Sequence, residues 1–243
     1  MVRLNIDGRE VQAREESTIL EVARENGIYI PTLCYHETVS PAGTCRLCLV
    51  EVIRDGRSRL VASCLYPVEE ELLVKTNSER VIRTRKTIVE LLLARCPNSK
   101  EIQSLAQQMG IDKPRFKLKD EECILCGLCI RVCQEVVGVS AISLVGRGTQ
   151  TEVSTPFCEP SSLCVGCGSC AYICPTGAIK MEDIGDTRII RIHDVEEKFE
   201  LQQCKVCGKY FAPKAQQDYL SRRLNLPRSF FDICPDCAKG QSG

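Results

Sequence analysis

The residues best suited to chemistry in this chain are its cysteines, 18 among 243 residues. Sixteen of them fall into four groups of four. Cys34, Cys45, Cys48 and Cys64 are spaced C-x10-C-x2-C-x15-C. Cys123, Cys126, Cys129 and Cys133 follow C-x2-C-x2-C-x3-C, and Cys164, Cys167, Cys170 and Cys174 repeat that spacing. Cys204, Cys207, Cys234 and Cys237 form two C-x2-C pairs, leaving Cys96 and Cys158 outside the groups. Four thiolates are the donor set of a closed metal site. A secreted disulfide scaffold would use cysteine as densely. However, the start, Met1-Val-Arg-Leu-Asn-Ile, lacks the apolar segment of a secretory signal, and no run approaches the roughly 18 apolar residues that span a bilayer. A cytoplasmic, reducing setting is therefore expected, where closely spaced cysteines hold metal.

These thiols need elements to position them, and residues 1–77 read as a first module. Val2, Leu4 and Ile6 alternate before an Asp7-Gly8 turn and a second strand through Val11. Thr18 and Glu21 form a capping box that opens a short helix, which Gly27 can end. Leu49–Ile53, the Asp55-Gly56 turn and Leu60–Ala62 make another hairpin, and Leu72–Lys75 a last strand. A small sheet on one helix is the outline of a β-grasp. Cys34, Cys45 and Cys48 lie on the loop between helix and hairpin, and Cys64 closes the site. Plant-type [2Fe–2S] ferredoxins distribute their ligands this way, although their first gap is shorter. Cys34-Tyr-His36 has the C-x-H look of a Rieske centre, but the partner pair Cys45-Arg-Leu-Cys48 has no second histidine, which leaves His36 as a loop residue. Structural zinc has the right ligand count, yet the wide loop suits a larger cluster.

Residues 78–115 read as a helical bridge. Ser78 or Asn77 can cap it, and Val81, Ile82, Ile88, Leu91 and Leu92 recur at helical spacing over 78–109. Nine Lys and Arg (Arg80, Arg83, Arg85, Lys86, Arg95, Lys100, Lys113, Arg115, Lys117) face four acids over 78–118. Two readings stand for them, a solvated face and a docking face for an acidic partner.

Residues 116–185 carry the doubled run. In two-cluster ferredoxins the fourth cysteine of each run ligates the other cluster. By that rule Cys123, Cys126, Cys129 and Cys174 hold one [4Fe–4S] cluster, and Cys164, Cys167, Cys170 and Cys133 hold the other. Pro175 follows the second run and turns the chain away, whereas Gln134 takes that place after the first. Cys158 is expected to be a buried small residue. Residues 186–243 are read as a connector and a zinc-ribbon-like tail, with Cys204, Cys207, Cys234 and Cys237 around zinc and a short helix over Ala215–Leu224 between the pairs. A further iron–sulfur cluster is the alternative there. The whole is an α+β chain: β-grasp [2Fe–2S] ferredoxin domain, helical bridge, two-cluster [4Fe–4S] ferredoxin domain and zinc-ribbon-like module.

The chain balances 32 basic against 32 acidic residues, which gives no support to a nucleic-acid or membrane-surface partner. It has no G-x-G-x-x-G turn, no G-x-x-x-x-G-K loop, no H-E-x-x-H and only two histidines, and it offers no identifiable substrate pocket. Iron–sulfur clusters move single electrons while nicotinamide delivers two as hydride, so a flavin must split the pair on another chain. The expected role is a relay without chemistry of its own.

The order C-x10-C-R-L-C-L-V-E, then Thr84-Arg-Lys-Thr-Ile-Val-Glu-Leu-Leu, then the doubled run resembles the amino-terminal part of the large iron–sulfur subunit of respiratory NADH dehydrogenase. It is also similar to the iron–sulfur diaphorase subunit of NAD-reducing hydrogenases and of electron-bifurcating complexes. The resemblance covers roughly residues 1–185. It implies one [2Fe–2S] and two [4Fe–4S] clusters on the twelve cysteines named above. It further implies a partner flavoprotein holding FMN and NAD(P), a small thioredoxin-like [2Fe–2S] subunit, and either ferredoxin or a second catalytic subunit. Many family members carry an extra cluster on one histidine and three cysteines after the bridge helix. Here that stretch, Leu93-Ala-Arg-Cys96-Pro-Asn, has one cysteine and no histidine, so that cluster is expected to be absent and Cys96 ordinary. The expected setting is a bifurcating transhydrogenase, a hydrogenase or a formate dehydrogenase. The rival is a freestanding multi-cluster ferredoxin acting as a soluble carrier.

Overall fold

The structure, a computed structural model, describes residues 1–116 and 121–240. It divides into two compact units, Met1–Leu128 and Cys129–Gly243. Both mix helix and strand.

In the first unit, β1 (Val2–Ile6) and β2 (Arg9–Ala13) form a hairpin. Asp7 and Gly8 both take left-handed backbone at the turn, the geometry of a two-residue hairpin loop. The Asp7 carboxylate then accepts from the Thr76 backbone N–H at 2.7 Å, tying the turn to the end of the strand Leu72–Lys75 beside it. Helix α1 (Ile19–Glu25) starts in the expected capping box: the Thr18 N–H donates to the Glu21 carboxylate at 2.7 Å, and the Glu21 N–H to the Thr18 hydroxyl at 3.3 Å. β3 (Leu49–Arg54) and β4 (Arg57–Ala62) form the second hairpin. β5 (Leu72–Lys75) inserts between them, parallel to β1 and antiparallel to β3, giving the order β2-β1-β5-β3-β4. Ile6, Ile19, Leu20, Val22, Val50 and Val74 fill the core between helix and sheet.

The single helical stretch expected over 78–109 is two helices, α2 (Glu79–Arg95) and α3 (Lys100–Gln108). Pro97 cannot continue α2, and Ser99 accepts from the Ile102 N–H to start α3. The buried residues of α2 include Val81, Arg85, Val89 and Leu93, and of the apolar set read from sequence only Val81 is fully buried. Ile82 and Leu91 face outward, because a repeat of four from Val81 follows the face pressed against β3.

In the second unit, α4 (Leu128–Arg131), which runs through the division, passes directly into a π-helical turn over Val132–Val137. Gly138 ends it, its N–H donating to the Cys133 carbonyl at 2.9 Å. β6 (Ser143–Val145) pairs with β7 (Glu152–Ser154), and the short α5 (Ser169–Ile173) follows. β8 (Ile179–Ile184), β9 (Thr187–Ile192), β10 (Val195–Gln203) and β11 (Tyr210–Pro213) make an antiparallel meander. Its first hairpin turns at Gly185 and Asp186, so the sheet runs across the boundary drawn at 186. Helix α6 (Lys214–Leu224) begins one residue before its expected start and stops at Asn225 in left-handed backbone. Helix α7 (Pro235–Gly240) closes the described chain. Among the described residues no helix is long and apolar enough to cross a membrane.

Candidate metal centres

The loop between α1 and β3 sinks three thiols into the first unit, and Cys64 follows β4 back to them. Cys34, Cys45, Cys48 and Cys64 are all buried. Leu47, fully buried between two of them, pins the loop to the interior. The four fall into two pairs. The Cys45 N–H donates to the Cys34 sulfur at 3.3 Å, and the Cys48 and Cys64 sulfurs lie 3.4 Å apart. The Cys34 thiol and backbone N–H donors pull Cys45 down to about 6, and the Cys64 thiol does the same for Cys48, also to about 6. The partners Cys34 and Cys64 are pushed up, each by its hydrogen bond to the lower thiol and by burial. Within each pair the hydrogen bond favours ionisation of one thiol over the other. His36 turns its Nδ1 to the Thr38 hydroxyl at 2.8 Å, a local loop bond.

Sequence reasoning counted Arg85 as one surface cation among nine. It is buried on α2, with its Nη2 donating to the Leu49 carbonyl at 2.6 Å and its charge acting on Cys48. A polar residue at the apolar repeat Val81, Val89, Leu93 was the signal available. Three of the other eight pair with acids: Arg80 with Glu51 at 3.7 Å, Arg95 with Glu121 at 2.7 Å, and Arg115 with Glu90 at 2.5 Å. Lys117 lies outside the described residues.

Arg95 also prepares the doubled run. Its Nε donates to the Cys123 carbonyl at 2.7 Å, and its own carbonyl accepts from the Glu121 N–H at 2.9 Å. In the same unit the Leu125 N–H donates to the Cys123 sulfur at 3.3 Å, with Cys126 buried just beyond. Cys129 and Cys174 belong to the second unit.

Within that second unit Cys133 meets the second run. Its thiol interacts with Cys167, and the Cys164 and Cys170 thiols interact with both. The Ala141 N–H donates to the Cys133 sulfur at 3.3 Å. Burial pushes the Cys164 and Cys170 thiols up to about 12 each and raises Cys133. The loop Cys164-Val-Gly-Cys167-Gly-Ser-Cys170 wraps tightly: Gly166 and Gly168 both have left-handed backbone. A Cβ on Gly166 would lie 2.5 Å from the Phe199 ring, and one on Gly168 would strike the Met181 sulfur. Buried Glu197 accepts from the Ser161 N–H at 2.6 Å, fixing the lead-in and placing a carboxylate near Cys164. Cys158 corrects its expectation: it is exposed, in left-handed backbone beside Phe157, which is 93% exposed.

In the tail the sulfurs of Cys204, Cys207, Cys234 and Cys237 all lie within 4.8 Å of one another. Cys207 and Cys234 are 3.8 Å apart, and the Cys234 N–H donates to the Cys204 sulfur at 3.3 Å. Backbone N–H groups of Cys207 and Cys234 hold Cys204 down at about 6, while hydrogen bonding to Cys234 pushes Cys237 up to about 12. Cys207 is exposed, so the group opens to solvent on one side.

Comparison with known proteins bears on the first three cysteine groups. Residues 1–79 match the family described as 2Fe-2S iron-sulfur cluster binding domain, and residues 122–178 match the 4Fe-4S dicluster domain. The NADPH-Fe(3+) oxidoreductase subunit alpha of Geobacter sulfurreducens is 36% identical over 204 residues, 74% of this chain and 24% of that one. The NADP-reducing hydrogenase subunit HndD of Solidesulfovibrio fructosivorans is 36% identical over 212 residues, 74% of this chain and 36% of that one. The chain is a homologue of these NAD(P)-linked oxidoreductase subunits. The NADH-ubiquinone oxidoreductase 75 kDa subunit of Reclinomonas americana is 34% identical over 204 residues, 74% of this chain and 29% of that one. A chain of the NAD+-reducing [NiFe]-hydrogenase crystal structure superposes with a TM-score of 0.62 at 28% identity, covering 72% of this chain and 85% of that one. This homologue spans about a quarter to a third of the curated relatives' length. The expected resemblance holds.

Proposed function

We propose that the chain is an electron-transfer subunit that relays single electrons between a flavoprotein binding FMN and NAD(P) and either ferredoxin or a second catalytic subunit. It would work in the cytoplasm, within a bifurcating transhydrogenase, a hydrogenase or a formate dehydrogenase, beside a small thioredoxin-like [2Fe–2S] subunit. The observation that carries this reading is the gathering of Cys133 with Cys164, Cys167 and Cys170, residues of two separate runs whose meeting has no use except a shared cluster. Cys123, Cys126, Cys129 and Cys174 are the complementary set. The two sulfur pairs at Cys34/Cys45 and Cys48/Cys64 suit two iron atoms, each taking one pair. When bound, these clusters supply one-electron exchange. The chain's own part is to bury the thiolates and to donate N–H groups to their sulfurs. Residues 1–77, 78–115, 116–185 and 186–243 are proposed as functional segments, with the sheet of β8 to β11 crossing the last boundary.

The tail reads as a zinc site. Four sulfurs about 2.3 Å from one ion sit about 3.8 Å apart, the Cys207–Cys234 separation. Thiolates carried by four different irons lie farther apart than these. Iron, acid-labile sulfide and zinc on anaerobically purified protein test the assignment. About ten iron, ten sulfide and one zinc per chain are expected. About fourteen iron without zinc would make the tail another relay centre, and zinc with little iron or sulfide would overturn the electron-transfer reading.

A further inference from the structure

The second unit contains a cavity of about 870 Å³ that the sequence did not announce. Phe211, Leu220, Phe230 and Phe231 supply apolar walls, and the rings of Phe230 and Phe231 meet edge to face with centroids 5.3 Å apart. Cys167 belongs to the same wall. So does Gln217, on the inner face of α6, and it is the chemical oddity of the site. It is only 2% exposed, and neither its Nε2 nor its Oε1 has a hydrogen-bond partner. A buried amide without partners is destabilising, and native interiors seldom keep one.

We propose that this cavity binds a planar heteroaromatic ligand through a lactam, imide or carboxamide edge. An amide presents one donor and one acceptor side by side, and only a ligand edge carrying an acceptor beside a donor satisfies both atoms at once. The phenylalanine rings favour a flat aromatic body through offset and edge-to-face contact. The volume suits a ring system of two or three fused rings, within the range of ordinary ligand sites. A ring bound there would lie beside Cys167, and so beside the relay proposed above, although the binding itself rests on the cavity and Gln217 alone.

Equilibrium dialysis of the anaerobically purified full chain tests this with two tricyclic probes. Lumichrome carries an imide edge, and acridine has none. Lumichrome is expected to bind and acridine to bind more weakly. Gln217→Leu should cost lumichrome about tenfold in affinity, the worth of one good hydrogen bond, and leave acridine unchanged. Ala238→Trp, at the exposed rim, should block both probes without touching the interior. Iron and zinc content held at wild-type values shows that a variant is folded and that the relay is intact. Failure of lumichrome to bind the wild type overturns the proposal. Equal binding of both probes with no effect of Gln217→Leu overturns it too, leaving a merely apolar cavity.

Discussion

At the scale of single residues, two buried charges flank the candidate centres with opposite sign. The charge of Arg85 acts on Cys48, and that of Glu197 on Cys164. Reduction adds negative charge, which a neighbouring cation stabilises and a carboxylate opposes. Arg85→Met keeps the length and apolar stem of the side chain. It is expected to lower the [2Fe–2S] potential by about 60 mV, a tenfold change for one electron. Glu197→Gln should move the potential of the centre at Cys164 upward, and redox titration followed by EPR reads both. Cys204 gives a pH prediction. Its folded value of about 6 lies below the ordinary thiol value, so the thiolate contributes fully above the ordinary range and is lost as pH falls through about 6. Zinc retention against a colorimetric chelator should therefore weaken progressively as pH falls from the ordinary thiol range toward about 6.

At the scale of elements, the sequence announced those whose signals are local. The capping box at Thr18, the paired turns at Asp7-Gly8 and Asp55-Gly56, and β5 all stand where spacing put them. The α2 stripe was misread because Ile82 and Leu91 are apolar yet outward, while the buried face includes Arg85. Strands β9 and β10 were read as a connector although their charged and apolar residues alternate as those of a half-buried strand do. Their pairing depends on cross-strand partners such as Arg191 with Glu182 at 2.5 Å and Glu196 at 2.9 Å. The ligand quartets were legible from spacing, whereas the cavity was not, since it is made by elements that meet only in the fold. The ligand loop yields an element-scale prediction. Gly166→Ala places a methyl against Phe199 in strained backbone, so the loop cannot close on its cluster. Iron should fall from about ten to about six per chain while the [2Fe–2S] EPR signal persists.

At the scale of the whole molecule, the described chain contains thiol groups for metal and no recognisable nucleotide cradle. The purified chain alone should stay oxidised when NADH is added under anaerobic conditions. It should bleach on adding dithionite, and bleach with NADH once the proposed flavoprotein partner is supplied. Visible absorbance near 420 nm, where such clusters absorb, follows all three additions. Bleaching by NADH alone would move the nicotinamide chemistry onto this chain. A freestanding carrier would purify without stoichiometric partners, whereas a relay subunit should bring them with it.

The meeting of Cys133 with Cys164, Cys167 and Cys170 also has a consequence for how the chain is made. The first of these thiols leaves the ribosome about thirty residues before the other three. Until Cys170 has emerged, Cys133 has no complete quartet to join, and an incomplete set of exposed thiolates invites oxidation or the wrong ion. Loading of this centre must therefore wait for nearly the whole ferredoxin region. The [2Fe–2S] quartet, complete at Cys64, can be filled while synthesis is still under way. Assembly is ordered from the amino terminus by the geometry of the thiols themselves.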